Sequence, residues 1–131
     1  MSQLLLDTHI ILHWIAGSRD LSRNQATVIN TASLRGEPLG VSAASLLEIA
    51  ILVDLGRVKI DGPVDEFLQT LEAAPYRVFP LTADIAAEAG GFRILKDPTD
   101  RAIAATARVH GLRLVTSDQR ILDSHLVSTI E

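Results

Sequence analysis

Leu4-Leu5-Leu6-Asp7-Thr8-His9-Ile10-Ile11-Leu12-His13-Trp14-Ile15-Ala16-Gly17 is the stretch that decides the fold. Its leucines form a short unbroken apolar run, the pattern of a strand buried on both faces. Asp7 ends that run. Residues 8–16 then carry the spacing of a helix, and Gly17 closes it, because glycine accepts the left-handed backbone that ends many helices. A buried strand followed at once by a helix is the first half of a parallel βαβ unit.

Working outward, the same alternation continues. Ser22 reads as the N-cap of a helix running to about Arg35, and residues 39–42 read as a second strand. Residues 43–55 form a strongly apolar helix with Gly56 just past its end. Pro63 opens a helix through about residue 73, and residues 76–81 make a third strand. Thr82 caps a helix over residues 83–89, and Asp97-Pro98 opens one that ends at Gly111. Residues 112–116 and 126–130 complete the strands. Strands separated by helices pair in parallel through right-handed crossovers. The expected product is one three-layer α/β/α domain over residues 1–131, with a central, mainly parallel sheet of about five strands.

In such sheets ligands bind beyond the carboxyl ends of the strands. That rule selects acids. Asp7 ends the first strand, and Asp118 stands just past the fourth. Glu48 lies on the helix after the second strand, and Asp100 lies in the first turn of the helix before the fourth. Three of these have an ordinary structural reading. Asp7 is placed to cap the helix that follows it, Asp118 to cap a short turn over Gln119-Arg120-Ile121-Leu122, and Asp100 to support a helix start. Asp97 is better explained as the cap of that same helix than as a ligand. Glu48 differs. It is the polar residue of Leu46-Leu47-Glu48-Ile49-Ala50-Ile51-Leu52-Val53 and sits mid-helix, where no capping role exists. An all-round apolar helix is expected to be buried. A buried carboxylate needs a cation or hydrogen bonds, from a metal ion or from an arginine such as Arg101 or Arg108.

Converging carboxylates repel and raise each other's pKa, and a hard divalent ion removes that cost. Mg²⁺ and Mn²⁺ take oxygen ligands of this kind. Such an ion acidifies bound water and neutralises charge on a phosphate, so phosphodiester hydrolysis is the expected chemistry. The chain has no cysteine, which removes thiolate zinc sites and disulfides and fits a reducing, cytoplasmic setting. The first residues carry no basic leader, and no apolar run approaches the ~20 residues that span a bilayer. The net charge of −4 argues against gripping nucleic acid by bulk charge, although ten of the twelve basic residues are arginine, suited to bidentate phosphate contacts. Arg19, Arg23, Arg101, Arg108 and Arg120 are candidates for such contacts, with a solvated surface role as the alternative for each. His9 and His13, spaced i and i+4, have no glutamate between them and read as packing or surface residues rather than ligands. Trp14 reads as core or interface.

Four stretches together resemble the PIN-domain ribonucleases, in particular the VapC-like toxins of type II toxin–antitoxin systems. They are Leu4-Leu5-Leu6-Asp7-Thr8-His9, Val41-Ser42-Ala43-Ala44-Ser45-Leu46-Leu47-Glu48-Ile49-Ala50, Asp97-Pro98-Thr99-Asp100-Arg101-Ala102-Ile103-Ala104-Ala105-Thr106-Ala107 and Leu114-Val115-Thr116-Ser117-Asp118. The resemblance implies a PIN-like fold with Asp7, Glu48, Asp100 and Asp118 as an acidic quartet. It implies one or two Mg²⁺ or Mn²⁺ ions, RNA as substrate and a metal-activated water as nucleophile. Thr116 matches a hydroxyl position that orients the quartet, its alternative being an ordinary strand-end threonine. A homodimer and a cognate antitoxin that blocks the site are implied as well. The chain departs from close relatives where Ile94-Leu95-Lys96 replaces a histidine before the Asp-Pro-x-Asp element and Thr99 replaces an aromatic within it. These departures fall on groove-shaping positions and leave the acids in place.

Two other functions are compatible with an acidic pocket. A phosphoacceptor signalling domain would want a paired acid after the first strand and a lysine late in the chain. Here Thr8 follows Asp7, and both lysines, Lys59 and Lys96, precede the fourth strand. A catalytically dead PIN-like interaction module would not be expected to retain four acids.

Overall fold

A computed structural model describes residues 3–131. The first two residues of the N-terminal stretch read above for a leader lie outside the described residues. Five strands, β1 (Leu4–Leu6), β2 (Leu39–Ser42), β3 (Tyr76–Phe79), β4 (Arg113–Val115) and β5 (Thr129–Ile130), form one sheet in the order β3-β2-β1-β4-β5. Every pairing is parallel. Among the described residues seven helices connect them: α1 (Thr8–Ala16), α2 (Arg23–Leu34), α3 (Ala43–Asp54), α4 (Val64–Leu71), α5 (Ala83–Gly90), α6 (Pro98–His110) and α7 (Gln119–Ser124). Among the described residues no helix is long and apolar enough to cross a membrane.

The period of the strands divides the core. Successive side chains on a strand face opposite ways. Leu4 and Leu6 of β1 pack with Ile10, Ile11, Ile29, Val41 and Ile49, while Leu5 packs with Ile85, Ile103, Ala104 and Leu114. Both sets are almost wholly out of water. This is the three-layer arrangement: α5, α6 and α7 supply the cover on Leu5's side, and α1, α2, α3 and α4 supply it on the other. Gly40 marks a close approach in β2. A Cβ there would collide with the Leu4 carbonyl oxygen and press on Phe79 at 3.1 Å.

Local signals set most boundaries. Gly17 and Gly111 take φ of 65° and 64° and end α1 and α6. Ser22 and Gln25 form a reciprocal capping box at the start of α2. Three strands are shorter than their apolar runs. β3 stops at Phe79, before Pro80, which has no N–H for the ladder. β4 is paired only over residues 113–115, and β5 only over 129–130. The segment read as a short turn after Asp118 is instead the helix α7.

The reading of α3 as a buried helix needs correction. Leu47, Ile51 and Leu55 are 65%, 48% and 57% exposed, and they recur every fourth residue along one face. The opposite face, with Ala44, Ser45 and Ile49, meets the core. Glu48 is therefore half-buried, beside an exposed stripe rather than inside an apolar shell.

Strand order places the site. The chain moves from β1 outward to β2 and β3, then returns to lay β4 on the other side of β1. The crevice at the carboxyl ends of β1 and β4 is the topological switch point, where helices diverge and leave a cleft.

Candidate metal centre

Asp7 leaves β1 at that switch point, only 3% exposed. Its two oxygens have separate partners. Oδ1 accepts the Thr8 N–H at 2.8 Å and caps α1, while Oδ2 accepts the Thr116 hydroxyl at 2.7 Å. The capping role and a place in the cleft therefore coexist in one side chain. Thr116, fully buried at the end of β4, also accepts the Asp118 N–H at 3.0 Å, so its hydroxyl ties the two aspartates together.

Asp118 caps α7 through the Arg120 N–H, at 2.9 Å. Asp97 caps α6, accepting the N–H groups of Thr99 at 2.8 Å and Asp100 at 3.1 Å, as expected. Asp100 itself points into the cleft from the first turn of α6. Glu48 reaches the same cleft from α3, near Thr8. The arginines weighed as partners for Glu48 are engaged elsewhere. Arg101 donates to the Leu95 carbonyl at 2.6 Å, and Arg108 lies 3.5 Å from Glu88.

Asp7, Glu48, Asp100 and Asp118 thus line one cleft of about 630 Å³, with Asp97 at its edge. Electrostatics registers the crowding. Burial first, then Asp118, Asp97 and Asp7, push the Asp100 carboxyl up to about 7. Burial also raises Glu48, with Asp7 and Asp97 adding to it against the lowering effect of the Thr8 hydroxyl. Burial would raise Asp118 too, but hydrogen bonds from Arg120 outweigh it and hold that carboxyl below its usual range. Arg120 bridges the pair, its Nη2 3.0 Å from Asp118 and 3.5 Å from Asp100.

Among the described residues no three acids or histidines stand in a finished coordination cage. The donor set nevertheless fits a hard divalent cation. Every candidate donor is a carboxylate oxygen, and Asp7 and Asp97 both add to the proton affinity that burial gives Glu48 and Asp100. Arg120, a cation lodged between Asp100 and Asp118, is on an exposed side chain that can rotate away.

Three features escaped the sequence reading. His9 does more than pack: its Nε2 accepts the Ser117 N–H at 2.9 Å, and its Nδ1 lies 3.6 Å from Asp7. Gln25, wholly buried, donates to Ser117 Oγ at 2.8 Å and to the Thr116 carbonyl at 3.3 Å. The Ser22-x-x-Gln25 spacing announces the helix cap but not these long-range contacts. The third feature is the apolar wall of the cleft, built by Leu12, Ile15, Leu52, Val58, Ile60 and Phe67, with Lys59 on its rim.

Comparison with known proteins agrees with this architecture. The family model described as PIN domain matches residues 4–124. The chain is 37% identical over 123 residues to "Ribonuclease VapC22" of Mycobacterium tuberculosis, covering 92% of this chain and 91% of that one. Among solved structures, a DNA-bound VapBC from Salmonella typhimurium superposes with a TM-score of 0.69 at 17% identity, over 99% of this chain and 98% of that one. A toxin–antitoxin complex from Klebsiella pneumoniae gives 0.65 at 17% identity, over 98% and 96%. At such identities the structural likeness speaks for the fold.

Proposed function

The chain belongs to the PIN domain family, and from that premise we propose that it is a metal-dependent endoribonuclease, the toxin of a toxin–antitoxin pair. The observation that carries the reading is the gathering of Asp7, Glu48, Asp100 and Asp118 in one cleft at the switch point of the sheet, where burial first, then Asp118, Asp97 and Asp7, push the Asp100 carboxyl up to about 7. A structural role alone would not gather acids at such a cost. The 37% identical relative is named a ribonuclease, which supports RNA as the substrate.

In this reading the four carboxylates hold one or two Mg²⁺ or Mn²⁺ ions. When bound, such an ion supplies an acidified water for in-line attack and neutralises charge on the phosphate. Thr116 keeps Asp7 turned toward the cleft by occupying its Oδ2. Asp118 keeps its place through the same hydroxyl. Arg120, which now sits against Asp118 and Asp100, is the guanidinium at hand to pair with a phosphate oxygen once a metal ion takes over those two acids. By the family resemblance the bond between phosphorus and the 3′-oxygen is the one that breaks: water adds its oxygen to phosphorus, the 3′-oxygen leaves and takes up a proton, and the products carry a 5′-phosphate and a 3′-hydroxyl.

The partners follow from surfaces. An antitoxin segment with apolar side chains suits the wall of Leu12, Ile15, Leu52 and Phe67, which adjoins the acids. Complexes of toxin and antitoxin are among the structural neighbours. The exposed stripe of Leu47, Ile51 and Leu55 suits a homodimer contact.

The test is direct. Purified protein, free of antitoxin, is incubated with a 5′-labelled structured RNA and Mn²⁺ or Mg²⁺. Cleavage that stops with a chelator is the expected result, with fragments bearing 5′-phosphate. Transfer of phosphate from acetyl phosphate onto the protein, with RNA left whole, would favour a signalling domain instead.

A further inference from the structure

Asp118 is carried on a loop, residues 116–118, that lies between β4 and α7. Short loops at strand ends are free to shift unless something holds them. This one is held from three sides. Thr116 Oγ ties it to Asp7 from within the site. From behind, Gln25 of α2 donates its Nε2 to Ser117 Oγ and to the Thr116 carbonyl, at 2.8 and 3.3 Å, while its Oε1 accepts the Ser22 N–H at 2.9 Å. From the side, His9 Nε2 accepts the Ser117 N–H at 2.9 Å.

The two outer ties have a chemical logic. Gln25 is 0% exposed, and a fully buried amide is costly unless each of its groups is paired. Here both ends are paired, and the donating end is spent entirely on the loop. An apolar residue would fill that space in α2 as well if packing were the sole requirement. His9 accepts through Nε2, so in the neutral ring the proton resides on Nδ1, the nitrogen facing Asp7 3.6 Å away. One imidazole thus spans the loop backbone and the first acid.

We propose that Gln25 and His9 are positioning residues that clamp the Thr116–Asp118 loop and so set where Asp118 stands relative to Asp7. Neither is among the acids, and α2 contributes none of them. The functional consequence rests on the metal-nuclease reading, whereas the clamp itself does not. Groups that orient ligands from behind typically change metal affinity or activity about 10–100-fold when removed.

The experiment uses the full chain with four substitutions. Gln25→Met keeps the volume and removes the donors. Gln25→Glu keeps the oxygen that caps Ser22 and sets a carboxylate oxygen against the loop. His9→Phe keeps the ring and removes the acceptor, and His9→Gln restores an acceptor near the Nε2 position. Melting temperature shows that each variant folds. The readouts are the amide resonances of Ser117 and Asp118, the Mn²⁺ dissociation constant by calorimetry, and kcat and KM on the labelled RNA. Gln25→Met and His9→Phe are expected to move both resonances and weaken Mn²⁺ by about 10-fold, lowering kcat by about 10–100-fold with KM nearly unchanged. His9→Gln is expected to recover most of the loss. Unmoved resonances and wild-type Mn²⁺ affinity in folded His9→Phe and Gln25→Glu would overturn the proposal, as would a His9→Phe defect that His9→Gln leaves uncorrected. If a Gln25 variant does not fold, the His9 pair decides. A wild-type chain that cleaves no RNA sinks the nuclease reading alone, because the amide resonances still report the clamp.

Discussion

Asp7→Asn is expected to lower RNA cleavage by about 10³-fold, a loss of about 4 kcal/mol of transition-state stabilisation. The fold is expected to survive. Asparagine keeps one oxygen, enough to cap α1 through the Thr8 N–H as Asp7 does at 2.8 Å. Its amide then faces the Thr116 hydroxyl, which presently donates to Oδ2 at 2.7 Å. That hydroxyl can accept instead of donate, at a cost of about 1 kcal/mol. The substitution therefore separates the two roles of Asp7, removing the charge that would hold a metal while leaving the cap. Steady-state kinetics on the labelled RNA, alongside a thermal melt, checks it. Cleavage within tenfold of wild type by Asp7→Asn would remove Asp7 from the chemistry.

Asp100→Asn is expected to make the metal-free protein more stable at pH 8 and leave it unchanged near pH 4. Burial and neighbouring acids lift the folded carboxyl up to about 7, whereas an unfolded aspartate ionises near pH ~3.9. Between those values the folded chain keeps a proton that the unfolded chain has lost. Stability therefore falls as pH rises from about 4 and levels off above about 7. Asparagine, uncharged throughout, escapes that penalty. The gain at pH 8 is about 2–4 kcal/mol, or roughly 7–15 °C in Tm for a chain of this size. Loss of the Arg120 contact at 3.5 Å offsets little, since that arginine is exposed. Mn²⁺ added in excess is expected to narrow the difference by stabilising the wild type. A lower Tm for Asp100→Asn than for wild type at pH 8, without metal, would contradict this account.

Much of the architecture was legible because its signals are local. Gly17 and Gly111 end helices by adopting a left-handed backbone, and Ser22 and Asp97 start them by accepting backbone N–H groups. The rule that ligands gather at the carboxyl ends of parallel strands led from apolar runs to Asp7 and Asp118, and the structure sets both in one cleft. What was not legible depends on partners far away in the chain. The exposed face of α3 could not be told from its buried one, since Leu47 and Ile49 are equally apolar, and only the packed sheet distinguishes them. Glu48 was expected in a dry helix and stands half-buried on a cleft rim. Gln25 and His9 meet Ser117 across more than ninety residues of chain, and no spacing encodes that meeting. The fifth strand shrank to residues 129–130 because an apolar run sets burial, whereas a ladder also needs a partner of equal length.

The most direct measurement is a calorimetric titration of Mn²⁺ into the wild-type chain and Asp7→Asn, at pH 7, in two buffers of different ionisation enthalpy. With Asp100 up to about 7, roughly half of the chains carry its proton at that pH. Wild-type protein is expected to bind Mn²⁺ and to release about half a proton per ion bound at Asp100, and Asp7→Asn is expected to bind at least ~10-fold more weakly. A folded wild-type chain that binds neither Mn²⁺ nor Mg²⁺, or binds Mn²⁺ as tightly without Asp7 and with no proton released, would rule out a metal site built on these acids.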